Sequence, residues 1–143
     1  MQVLVKGRAE GKTTALVKWL LEGREQEGYP AWSRVIVCAA NNRMVQTTEH
    51  MLRKHIEEHI NFHSCDRMLP HTKEECPQVQ ERFLINVRKA VWGLSDYYAN
   101  EHGTREFEFA IDDMEYIWER GYRILRQPSV ITVTGSLYDN LGH

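Results

Sequence analysis

Nowhere does the sequence string together the roughly 18 apolar residues that a membrane-crossing helix needs. Its opening, MQVLVKG, has neither a basic leader nor a long apolar run, so no signal peptide is expected and the protein is expected in the cytoplasm. Cysteine is scarce: Cys38, Cys65 and Cys76 cannot all pair within one chain, and reduced thiols are the default. Neither sign of charge prevails, with 18 Lys+Arg against 20 Asp+Glu and a net charge of -2. That excludes a global positive field, so any contact with nucleic acid has to come from a local patch. Fixed-period repeats and low-complexity tracts are missing too, and the composition is not that of a disordered or fibrous chain.

What is present suits one folded unit. The 143 residues are 42% hydrophobic, 27% charged and 10% aromatic, enough for one core and too few for two domains of ordinary size, so a single domain over 1–143 is expected. QVLVK (2–6) is a short apolar run stopped by Gly7, and Leu16, Val17, Leu20 and Leu21 then recur at helical spacing. RVIVCAA (34–40) is continuous and apolar, as a strand buried on both faces requires. Residues 43–60 carry Val45, Leu52, Ile56 and Ile60 on one stripe. Residues 77–94 repeat the pattern with Val79, Phe83, Val87, Val91 and Leu94 behind Pro77. Two helices are expected there, as a helical insertion over about 43–100. FEFAIDD (107–113) and SVITVTGS (129–136) read as the third and fourth strands, with MEYIWERGYRIL as a helix between them. Strands alternating with helices predict a three-layer α/β/α sandwich around a mainly parallel sheet of about four strands.

The stretch KGRAEGKTT (6–14) joins the first strand to the first helix. In a P-loop, backbone N–H groups of a tight glycine turn and the positive end of the next helix surround phosphate oxygens, a lysine adds a mobile charge, and a hydroxyl holds magnesium. Gly11, Lys12 and Thr13 stand in register with that pattern, G-x-x-x-x-G-K-[ST]. Lys6 takes the place of the first glycine, and Gly7 follows one position later. The first glycine mainly eases the turn out of the strand, whereas Gly11 must let the backbone approach phosphate, so the departure is the tolerable one. Nucleotide contacts are therefore expected from Gly7, Arg8, Ala9, Glu10, Gly11, Lys12, Thr13 and Thr14. Magnesium held by Thr13 needs a carboxylate and an attacking water needs a base. AIDDME supplies Asp112 for the first and Asp113 for the second; the competing reading is a carboxylate pair capping the next helix.

With RVIVCAA, AIDDME and ITVTGS following the loop in that order, the chain resembles the ATPase core of the additional-strand, RecA-like branch of P-loop NTPases, in particular superfamily 2 helicases and viral large terminases. RAEGKT (8–13) matches the terminase pattern R-x-x-G-K-[ST]. The resemblance implies ATP and Mg2+ as cofactors, hydrolysis with Lys12, Asp113 and Arg8 as catalytic groups, metal contacts from Thr13 and Asp112, and a polar sensor formed by Thr134 and Ser136. It implies the sheet order two-three-four-one, which leaves the strand 2–6 at an edge where a second copy or another protein would pair. It also implies a viral or mobile-element protein acting with DNA or a DNA-handling complex, in the host cytoplasm if viral. Glu10 and Asp113 depart from the usual pattern, which favours glutamate at the second position of the acidic pair. Two other readings stand beside it. One is a RecA-type thymidine kinase, to whose motifs GKTT, DD and VTGSLYDN are similar; the other is a nucleotide-binding module without turnover.

Arg120, Arg123 and Arg126 recur every three residues and read as a solvated basic face or as an arginine finger acting in trans. His59, His63, Cys65, His71 and Cys76 offer the ligand types zinc prefers, although no C-x-x-C pair is present. Trp19, Trp32, Trp92 and Trp118, with Tyr97 and Tyr98, read as core and rim rather than as a platform for stacking bases.

Overall fold

The computed structural model describes residues 1–6, 11–22, 33–59, 71–101, 107–124 and 126–134. The apolar runs form strands β1 (Gln2–Lys6), β2 (Arg34–Cys38), β3 (Val91–Gly93), β4 (Glu108–Asp112) and β5 (Val130–Thr134). Between them lie helices α1 (Lys12–Glu22), α2 (Asn42–His59), α3 (Cys76–Arg88), α4 (Leu94–Glu101) and α5 (Glu115–Arg120). Every strand pair is parallel, and the sheet order is β1-β5-β4-β2-β3.

Successive residues of β5, and Val35–Cys38 and Phe109–Asp112 of β2 and β4, are buried. Neighbouring side chains on a strand point to opposite faces, so this sheet is covered on both. The connections explain how. From β1 to β2 to β3 the chain steps one way along the sheet, and from β3 to β4 to β5 it steps back. Right-handed crossovers then put α1, α2 and α3 over one face and α4 and α5 over the other. Side-chain contacts agree: Thr13 of α1 bonds Asp112, while Tyr97 of α4 packs on Phe109, a residue of opposite parity on β4. Leu16, Val17, Leu20 and Leu21 of α1 and Leu52 and Ile56 of α2 fill the first interface. Each such side chain contributes roughly 1.5–3 kcal/mol on burial.

Two sequence expectations need correction. The expected helix over 77–94 stops at Arg88, and Val91–Gly93 forms a fifth strand beside β2, so the segment 43–100 is not a purely helical insertion. The cause is a coincidence of period. Val87 and Val91 are four apart and fit a helical stripe, but Val91 and Trp92 are both buried against the free edge of β2. Gly93 suits that tight exit, since a Cβ there would lie 3.0 Å from Asn42 Oδ1. The other correction is the helix expected over 114–125, which ends at Arg120 because Gly121 adopts φ 69 and closes the last turn through its N–H to the Ile117 and Trp118 carbonyls.

The four expected strands stand in the expected order, with β1 at an edge, and the additional strand extends the opposite side. Among the described residues no helix is long and apolar enough to cross a membrane.

Candidate functional site

The carboxyl ends of β4 and β5 meet the first turn of α1, and five of the residues singled out from sequence come together there. Lys12 opens α1 directly after Gly11, whose φ of 82 suits glycine and whose carbonyl accepts the first helical hydrogen bond, from Ala15 N–H at 2.9 Å. A lysine at the positive end of a helix has the unfavourable charge for the helix dipole. It is offset by Asp113, which accepts a hydrogen bond and ion pair from Lys12 Nζ, and by Thr134 Oγ1 at 2.8 Å from the same nitrogen.

One residue further into the helix, Thr13 Oγ1 donates to Asp112 Oδ2 at 3.0 Å. Asp112 is 1% exposed, and its second oxygen accepts from Thr132 Oγ1. Burial, and after it the charge of Asp113, raise the Asp112 carboxyl above its ordinary value; the hydroxyls of Thr132 and Thr13 and the Lys12 charge pull it back. Two adjacent carboxylates thus share one lysine. That surplus of buried negative charge, beside a hydroxyl, is the hard-oxygen environment a small divalent cation favours.

The chain reaches this geometry through Asp113, the one described non-glycine residue with positive φ, at 61. Its N–H donates to Thr132 Oγ1 at 2.9 Å, so Thr132 grips both aspartates. Two groups here were not singled out from sequence. Thr132 lies two residues before Thr134 and therefore on the same face of β5, so the period-two spacing in ITVT was the available signal. Glu115, 3% exposed, accepts from Thr134 N–H through Oε1 at 3.3 Å, while its Oε2 is buried without a partner among the described residues. Its position in the first turn of α5 reads from sequence as a dipole-compensating acid.

Thr14 is half-buried in the first turn of α1. Gly7, Arg8, Ala9, Glu10 and Ser136 lie outside the described residues, as do His63, Cys65 and Trp32. His71 Nε2 stands 3.2 Å from Cys76 Sγ, but among the described residues no group of three or more His, Cys, Asp and Glu side chains could hold a metal ion. Cys38, paired in register with Asp112, contacts Thr48 Oγ1 at 3.5 Å, and burial pushes its thiol up to about 12.

Next to the cluster, a crevice of about 390 Å³ opens at the carboxyl ends of β2 and β3, lined by Cys38, Asn41, Asn42, Ser95 and Arg120 among others. β2 sends its chain to one face of the sheet while its neighbours β4 and β3 send theirs to the other, and such a switch is where open α/β sheets part to admit ligands. Comparison with protein-family profiles, with curated proteins and with solved structures yields no match to this chain. The chemistry of the site therefore has to carry the functional reading.

Proposed function

We propose that this chain is a magnesium-dependent ATPase built on a P-loop NTPase fold of the RecA-like kind. One observation carries the reading: Lys12 and Thr13, at the N-terminus of α1, meet Asp113 and Asp112 from the end of β4 about a hundred residues later, each pair joined by a direct hydrogen bond. A glycine turn that merely connected a strand to a helix would have no use for a lysine at the positive end of that helix, nor for two buried aspartates facing it.

The first-turn amides of a helix lack intrahelical partners, which suits those of α1 to phosphate oxygens. Lys12 would exchange Asp113 for a γ-phosphate oxygen, since a dianionic group competes well for an ammonium already near the helix end. Asp113, released from Lys12, would accept the proton of the attacking water as the new P–O bond forms and the bond to the β-phosphate oxygen breaks. Thr134, still within reach of Lys12, would report the presence of the γ-phosphate to β5. Thr13 and Asp112 fit magnesium, which when bound would neutralise phosphate charge. Arg8, Glu10 and Ser136, outside the described residues, retain their expected roles as phosphate contacts and sensor.

Phosphate release by the wild type and by Lys12→Ala tests this directly. Loss of one preorganised cation should slow turnover by about 100-fold or more, and equal rates would refute hydrolysis at this site. The finer reading, a viral or mobile-element protein acting on DNA or a DNA-handling complex, rests on the same motif order. β1 is the surface on which a second copy would pair, because Val3 and Val5 are 44% and 47% exposed on a strand with a neighbour on one side only, among the described residues.

A further inference from the structure

Gln2 of β1 lies level with Val130 of β5 and donates its N–H to the Ser129 carbonyl at 2.9 Å. Main-chain groups alternate in direction along a strand, so Leu4 and Lys6 also turn theirs toward β5. Val3 and Val5 turn theirs the other way, where β1 has no neighbour among the described residues. Sheet edges are ordinarily defended by charge, proline or a bulge. Here the two residues that present their main chain are valines, 44% and 47% exposed, and the strand's one charge, Lys6, stands at its end.

The apolar surface continues past the strand. Val3 lies beside Ile131, which lines a cavity of about 320 Å³ together with Met1 and Trp118. Met1, Val3, Val5 and Trp118 are four of the six large hydrophobic residues that stand exposed among the described residues, so exposed apolar surface gathers along this edge.

We propose that two copies of this chain pair antiparallel along β1 about a two-fold axis at Leu4, joining their sheets into one of ten strands. A parallel ladder staggers the bonding residues of its two strands by one position. A two-fold axis along the strands sets each residue level with its own copy and cannot supply that stagger, whereas closed pairs are two-fold symmetric. An antiparallel ladder needs none. With the axis at Leu4, Val3 stands opposite Val5 of the second copy, and the two exchange both N–H···O bonds. Leu4 then faces its own copy as a non-hydrogen-bonded pair, as the direction of its main-chain groups requires. Lys6 falls beside Gln2 rather than beside the other Lys6, and the valines of both copies meet on the face that Ile131 occupies. Moving the axis to Val3 or Val5 shortens the ladder at one end. Such pairing rests on the reading of β1 as an edge for a second copy and requires no nucleotide. The two Lys12 clusters, at carboxyl strand ends, lie at opposite ends of the joint sheet, so neither belongs to the interface.

A ladder of five residues is small beside the roughly 1,200 Å² of a stable interface, so dissociation in the micromolar range or weaker is expected, and covalent trapping is the sensitive readout. Val3→Cys and Val5→Cys, both at exposed positions where folding tolerates change, are mixed and oxidised with copper phenanthroline. Opposite residues of such a pair have Cα atoms roughly 5.5 Å apart, within the roughly 4.4–6.8 Å that a disulfide spans. The mixture should therefore form a disulfide between the two variants, located by mass spectrometry of the digested product so that Cys38, Cys65 and Cys76 are told apart from it. Either variant alone should lose that link, since like positions stand roughly 7–8 Å apart on the diagonal. In sedimentation, the wild type should rise with concentration from 16.8 kDa toward twice that mass and no further. No disulfide in the mixture, an equal yield from either variant alone, or a wild-type mass that stays at one chain or passes beyond two would overturn the proposal. None of these readouts depends on hydrolysis at Lys12, so a chain without turnover leaves them decisive.

Discussion

Asp113 holds a left-handed backbone conformation, φ 61, which costs an L residue roughly 1 kcal/mol and which aspartate and asparagine bear better than most. Thr132 keeps it there by accepting its N–H. Asp113→Gly removes the strain but also breaks the largely buried ion pair with Lys12, which costs more than the strain returns, so stability in urea should fall by about 2–4 kcal/mol. Phosphate release should also fall about 100-fold. Full activity in that variant would remove Asp113 from the role of base.

Asp112 makes a prediction about pH. Burial and the neighbouring Asp113 raise its carboxyl above 3.8, so the folded chain keeps this proton to higher pH than the unfolded chain does. The contribution of the protonated group is fully present below the ordinary value and is lost as pH rises through the raised one. In magnesium-free buffer, Asp112→Asn should therefore be more stable than wild type at neutral pH, with the difference shrinking on acidification. Urea melts at several pH values measure it, and a wild type more stable than the variant at neutral pH would contradict the burial argument.

Among the elements, α5 depends on a single residue for its end. Gly121 has φ 69 and, among the described residues, nothing beyond its chain neighbours lies within 4 Å of where a Cβ would stand, so Gly121→Ala isolates the backbone penalty. Denaturant unfolding should show a loss of about 1 kcal/mol; no change would mean that the turn relaxes to another conformation. The elements also show how far the sequence was readable. Lys12, Thr13, Asp112 and Asp113 were legible because loop chemistry and a buried strand ending in two acids leave few other uses for those side chains. β3 was not, since Val79, Phe83, Val87 and Val91 keep a spacing of four across a break that only the open edge of β2 explains. Glu115 was hidden for a different reason: an acid in the first turn of a helix already has a sufficient local purpose, and its contact with Thr134 exists only once β5 lies alongside.

At the scale of the whole molecule, the apolar face of β1 is the feature most open to association. Replacing Val3 and Val5 by lysine should leave unfolding within about 0.5 kcal/mol, as for ordinary surface changes, while lowering any self-association seen by light scattering. A wild type that remains strictly monomeric at high concentration would remove the second copy from the proposal.

β1 has β5 as its only sheet neighbour among the described residues, with Gln2 beside Val130 and Lys6 beside Thr134. β1 must wait for a partner 128 positions further along the chain, Gln2 pairing with Val130, and until then Thr132 and Thr134 are not in place beside Asp113 and Lys12. Long-range pairing of this sort slows folding and exposes unfinished edges. A nascent chain stalled before residue 130 should therefore be a customer for chaperones, with β1 still unpaired.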